Sequence, residues 1–86
     1  MAEKDTGYID VALSRPMAID GAQVKALRMR EPTVADQLAS EEMKGSDSAK
    51  EIAMLANLCE VSPDDIKRLT LKDYKKLQAA FLGFLG

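Results

Sequence analysis

Two hydrophobic periods divide this chain. Between residues 8 and 30, apolar and polar positions alternate. Ile9, Val11 and Leu13 are interleaved with Asp10, Ala12 and Ser14, and further on Leu27 and Met29 are interleaved with Arg28 and Arg30. A period of two is the mark of half-buried strands. Asp20-Gly21 lies between the two runs, and both residues tolerate positive φ, so the pair predicts a two-residue hairpin turn. From residue 33 onward the apolar positions recur every three to four residues, the period of helices.

The hairpin carries a register problem. If Ile19 faces Ala22 across the turn, Leu13 falls opposite Arg28 and Val11 opposite Arg30. A one-residue bulge repairs the pattern, placing Leu13 near Leu27 and Val11 near Met29. Pro16 is its natural seat, since proline cannot donate to the ladder. The expectation is a long, kinked hairpin, or three short strands if the chain breaks at Arg15-Pro16.

The helical part is punctuated by start signals. Thr33-x-x-Asp36 is a capping box with Asp in place of Glu, just after Pro32. Ser48-x-x-Glu51, or Ser46 ahead of it, opens a second helix after Gly45. Ser62-x-x-Asp65, with Pro63 at the first helical position, opens a third, and Thr70-x-x-Asp73 a fourth. Helices are predicted at about 33–44, 47–60, 63–68 and 71–84. Pro32 cannot continue the ladder and pushes Glu31 out of the helical region. The abrupt join at Arg30-Glu31-Pro32-Thr33 is thus first of all a corner. The predicted class is α+β: an N-terminal antiparallel hairpin over residues 8–30 and three to four helices over 33–85, after a polar, disordered stretch at 1–7.

Length sets the scale of the core. A chain of 86 residues makes one domain. At this size about 60–65% of the unfolded surface is buried, so the core is thin. Hydrophobic residues are 47% and charged residues 30%, a globular composition. The net charge is -2, and neither the first 30 residues nor the rest forms a basic block, which argues against nucleic acid as the main partner. MAEKDTGYID has no apolar h-region, arguing against a secretory signal, and AAFLGFL is too short to span a bilayer. The reading is a soluble, cytoplasmic protein.

Candidate chemistry is sparse. The chain has no histidine, which removes the commonest general base and metal ligand. Cys59 is in phase with Ala49, Ile52, Leu55 and Ala56 and reads as a core thiol. Asp64 and Asp65 stand in a helix first turn, where the macrodipole favours carboxylates. There is no Gly-rich phosphate loop and no metal-ligand spacing. No catalytic residue, cofactor site or metal site is predicted, and the chain reads as no enzyme. Lys67, Arg68, Lys72, Lys75 and Lys76 form either a solvated face or a phosphate-binding stripe, with Glu60, Asp64, Asp65 and Asp73 interspersed.

The C-terminus, LQAAFLGFLG, holds both phenylalanines. On a helical wheel its apolar arc covers about 160°, wider than a core-facing helix needs. It closes the core, and one flank, Leu82 or Phe84 with Leu85, is left for a partner or for self-association. Met54 lies opposite the Ile52/Cys59 face of its helix, and Met43 lies off the Val34/Leu38 face. The candidate partner contacts are Met43, Met54, Phe81, Phe84 and Leu85.

The order of these features resembles the small tail assembly chaperones of long-tailed bacteriophages, most of all those of the contractile-tailed, Mu-like group and their prophage relatives. The resemblance runs from about Val11 to Leu85. It is carried by the Leu-Arg-x-Arg-Glu-Pro-Thr corner (Leu27 to Thr33) with Asp36, by Leu-x-x-Leu-x-x-Val-Ser-Pro-Asp-Asp (Leu55 to Asp65), and by Leu-x-x-x-Asp-Tyr (Leu69 to Tyr74). It implies a non-enzymatic role in virion morphogenesis. Such a protein binds the tape measure protein in the host cytoplasm and is absent from the mature virion. It further implies a frameshifted, longer form that brings tail tube subunits, and the two Phe-Leu pairs near the end allow a slippery codon run. Arg28, Arg30 and Glu31 match the family's corner, where they would pin the hairpin to the first helix. Two other readings compete: a small DNA-binding regulator using helices 63–68 and 71–84, and a generic adaptor. A DNA reader would show strongly salt-dependent binding.

Overall fold

The computed structural model describes residues 7–86. Strand β1 (Tyr8–Ile19) pairs antiparallel with β2 (Ala22–Arg30), and helices α1 (Val34–Glu42), α2 (Asp47–Cys59), α3 (Pro63–Lys67) and α4 (Leu71–Phe84) come after the hairpin. The class is α+β, a two-stranded hairpin followed by four helices. The expectation for the N-terminal stretch lies outside the described residues, except at Gly7, whose C=O accepts the N–H of Glu31 at 2.8 Å.

Asp20 (φ 52°) and Gly21 (φ 80°) both take positive φ, as a type I′ turn requires, and Ile19 pairs with Ala22. The register then differs from the expected one. Met17 pairs with Val24, but the next pair is Ala12 with Ala26, followed by Val11 with Leu27 and Ile9 with Met29. Four residues of β1, 13–16, therefore face Lys25 alone, so three residues are extra rather than one. Leu13 does not meet Leu27, and β1 is one strand with a wide bulge rather than two short strands. Shifts of one and of three restore the same alternation, so hydrophobic pattern cannot choose between them. A tertiary contact accompanies the larger bulge: the freed N–H of Ser14 donates to Asp73 Oδ1 of α4 at 2.9 Å.

One face of the hairpin supplies Val11, Leu13, Leu27 and Met29 to the core. Helix α2 adds Leu55, Ala56, Leu58 and Cys59, α3 adds Ile66 and α4 adds Leu77. Full burial of a side chain such as Leu55, Leu58 or Leu77 contributes about 1.5–3 kcal/mol. The second helix is capped by Ser46, whose Oγ accepts from the N–H of Ala49, and not by Ser48. It ends where Glu60 turns left-handed (φ 58°) and the N–H of Val61 reaches back to Ala56 O at 3.0 Å, a Schellman-type close.

Candidate functional site

The corner after β2 sets the orientation of α1. Thr33 Oγ1 accepts from the N–H of Asp36, and Asp36 Oδ2 accepts from the N–H of Thr33 at 2.8 Å, completing the capping box. The same carboxylate takes two hydrogen bonds from the Arg30 guanidinium, each 2.8 Å, and one from Asn57 Nδ2 of α2 at 3.3 Å. The Arg30 guanidinium beside it holds the Asp36 carboxyl far below the usual carboxylate range, although burial opposes the shift. Hairpin, α1 and α2 are thus clasped at one polar point.

That clasp turns α1 around. Asp36 is its buried residue. Val34 and Leu38 stand two residues to either side, about 160° away on the helix, so they face out. Val34 is 76% exposed and Leu38 54%. The arrangement repeats in α4. Asp73, 1% exposed, points inward to Ser14, and Leu71, two residues before it, is left in solvent. Further along α4, Leu77 is buried while Tyr74, Ala80, Phe81 and Phe84 pack against the core cluster at half exposure. Leu82 (64% exposed) and Leu85 (63%) remain outside.

Of these outward residues, Val34, Leu82 and Leu85 border a groove. One depression of about 450 Å³ is lined by Pro32, Thr33, Val34, Gln37, Met54, Phe81 and Leu85. An adjoining one of about 340 Å³ is lined by Glu51, Met54, Leu55, Gln78, Phe81 and Leu82. Met54 and Phe81 belong to both, so a single apolar channel runs between α1, α2 and the second half of α4. Its rim is polar. Glu51 Oε2 accepts from the Tyr74 hydroxyl and, at 2.6 Å, from Gln78 Nε2. Burial, then Glu51, pushes the Tyr74 hydroxyl up to about 12.

Of the candidate contacts, Met54, Phe81 and Leu85 lie together on this channel. Phe84 is turned against the core, and Met43, at the C-cap of α1, lines neither depression. Val34 and Gln37 are groove residues that sequence reading did not select, and Leu38, also turned out on α1, lines neither depression. The signal that could have found them is the Arg30/Asp36 pair: an aspartate facing the hairpin obliges its neighbours at two residues to face away.

The channel offers apolar contact and hydrogen-bonding side chains. Cys59 is buried, and burial pushes its thiol up to about 11, away from the reactive thiolate. No helix is long and apolar enough to cross a membrane among the described residues. No curated protein and no solved structure matches the chain. A family model matches residues 10–86, nearly the whole chain, and by that match the protein belongs to the family of phage tail assembly chaperone proteins, E, or 41 or 14.

Proposed function

We propose that the protein acts without catalysis of its own, holding the tape measure protein in the host cytoplasm during tail assembly and leaving before the virion is complete. The observation that supports this is the open channel between α1, α2 and α4. Its floor of Met54 and Phe81, flanked by Val34, Leu82 and Leu85, suits the apolar face of one amphipathic helix. A tape measure protein presents such faces repeatedly. Methionine and leucine adapt to helices of varied sequence. The polar rim and small area suit a contact that must later be released.

The test is co-expression with a tagged tape measure protein from the same genome. The untagged chain should co-purify and keep its partner soluble. Leu82→Asp with Leu85→Asp should abolish co-purification, a loss of tenfold or more in affinity, with the circular dichroism and melting temperature of the free chain little changed. Both side chains are mostly exposed, so they report on the surface rather than on folding. Phe84→Asp would not serve, because Phe84 packs against the core. A tape measure protein that is equally soluble with the double variant would overturn the reading.

A further inference from the structure

The two edges of the hairpin are finished differently. The outer edge of β1 is closed by side chains: Lys76 Nζ donates to Ala12 O at 3.1 Å, Asp73 accepts from the N–H of Ser14, and Arg68 donates to Ala18 O at 3.0 Å. β2 has a strand neighbour on one side only, and no donor or acceptor among the described residues reaches its other edge.

The ladder fixes which groups point there. Glu31 N–H bonds to Gly7 O, so the alternation of an antiparallel pair makes Ile9/Met29 and Val11/Leu27 the hydrogen-bonded pairs. Asp10/Arg28 and Ala12/Ala26 are then the open pairs, with their main-chain groups turned outward. Ala12 O, reached from outside by Lys76, agrees with that assignment. The N–H and C=O of Ala26 and Arg28 therefore face solvent, two residues apart, the repeat that an added strand uses. Both residues are exposed. Beside this edge lies a depression of about 420 Å³, walled by Val24, Ala26, Leu27 and Arg28 of the hairpin and by Leu58, Cys59 and Val61, with the one acid, Glu60, at the end of α2.

Charge selects the occupant. β2 reads AQVKALRMR, three bases and no acid. A second copy of β2 laid antiparallel would bring six bases and no acid together, with the two Arg28 side chains diagonal neighbours. A segment carrying Asp or Glu would meet Lys25 and also Arg28, whose pairing with Asp10 is solvent-exposed and readily shared. We propose that the free edge of β2 takes an extended, acid-bearing segment of a partner protein by strand addition. Its main chain bonds to Ala26 and Arg28, an apolar side chain enters the depression, and its carboxylates lie over Lys25 and Arg28. This site is distinct from the α1–α2–α4 channel and stands whether or not that channel holds a tape measure helix.

The probe is a short peptide of alternating Glu and Val, its valines N-methylated so that it pairs along one edge only. It is titrated into the isotope-labelled protein. Amide shifts should concentrate at Lys25, Ala26 and Arg28, and exchange of the Ala26 and Arg28 amides should slow at least tenfold at saturation. Ala26→Pro, which removes an outward N–H without touching the ladder, should abolish binding, and Lys25→Glu should weaken it about tenfold while leaving the fold unchanged. A Lys-Val peptide of the same length should not bind. The proposal fails if there is no binding at millimolar peptide, if shifts are confined to the α1–α2–α4 channel, or if Lys25→Glu is without effect. It also fails if the Ala26 and Arg28 amides become protected with rising protein concentration alone, which would assign the edge to a second copy.

Discussion

Asp36 is the buried residue of α1, and its hydrogen-bond partners are all polar: two guanidinium nitrogens, the capping threonine and an asparagine. Removing it takes away the acceptor of the Thr33 N–H, the reciprocal half of the capping box, worth about 1 kcal/mol, and leaves the half-buried Arg30 without its carboxylate, costing about 1–2 kcal/mol more. Asp36→Ala should therefore lower unfolding free energy by about 2–3 kcal/mol in urea titrations, with loss of α1 ahead of the rest. The sign of its pH dependence comes from the depressed carboxyl. The folded state holds the proton more weakly than the unfolded chain, whose carboxyl titrates near 3.8. Its stabilisation is thus complete at neutral pH and is lost as pH falls below about 4 toward the folded value. Acid unfolding of Asp36→Asn should be flatter across that window. Some slope will persist, since hydrogen bonds also lower the carboxyls of Asp73 and Asp65.

At the scale of elements, Asp73 is spent on a strand rather than on its own helix. Thr70 Oγ1 caps the N–H of Asp73 at 3.2 Å, but the carboxylate does not return to Thr70 as a full capping box would have it; it leaves α4 for the bulge at Ser14. Asp73→Ala should free that amide. Its hydrogen exchange should accelerate at least tenfold at Ser14, while Val11 and Leu27, which pair within the ladder, change only with global stability. Equal acceleration at all three would mean that the contact holds the whole domain and not the bulge. The same residue marks the boundary of what sequence can tell. Turn, caps and helix order were legible because each is local chemistry: Asp20-Gly21, Thr33, Ser62 and Thr70 act within four residues. The size of the bulge was not, because the contact that accompanies it lies 59 residues away in sequence. Nor was the outward turn of Val34 and Leu38, whose apolar character reads as core until Asp36 is seen to occupy the inside. Within the candidate channel, Met54, Phe81 and Leu85 could be picked from helical phase alone, whereas Phe84, on the same apolar arc, is drawn inward by packing that phase does not encode.

For the molecule as a whole, the charge on α3 and α4 decides between a protein partner and nucleic acid. Three of the five bases of that region are engaged within the fold. Arg68 serves Asp65 and Ala18 O, Lys76 serves Ala12 O with Asp73 3.6 Å away, and Lys67 lies 3.8 Å from Asp64. Two of these bases hold the helices onto the β1 edge, so a phosphate could recruit them only by opening the fold. α3 itself spans only five residues, too few to brace a recognition helix from behind as the first helix of a helix-turn-helix does. The net charge of -2 adds a long-range repulsion. The protein should therefore show no binding to a 30-base-pair duplex at about 0.15 M salt, and the weak association that low salt permits should be non-specific. Lys76→Ala should reduce thermal stability, because it uncovers Ala12 O and removes the cation beside the buried Asp73, yet leave that DNA baseline where it was. If Lys76→Ala instead lowered DNA affinity with no loss of stability, the base would be facing a phosphate rather than the strand, and the closed edge of β1 would have to be redrawn. The contrast between the edges gives this measurement its weight: Arg68 and Lys76 are turned inward onto β1, so a charged partner finds its accessible main chain on the far side, along β2.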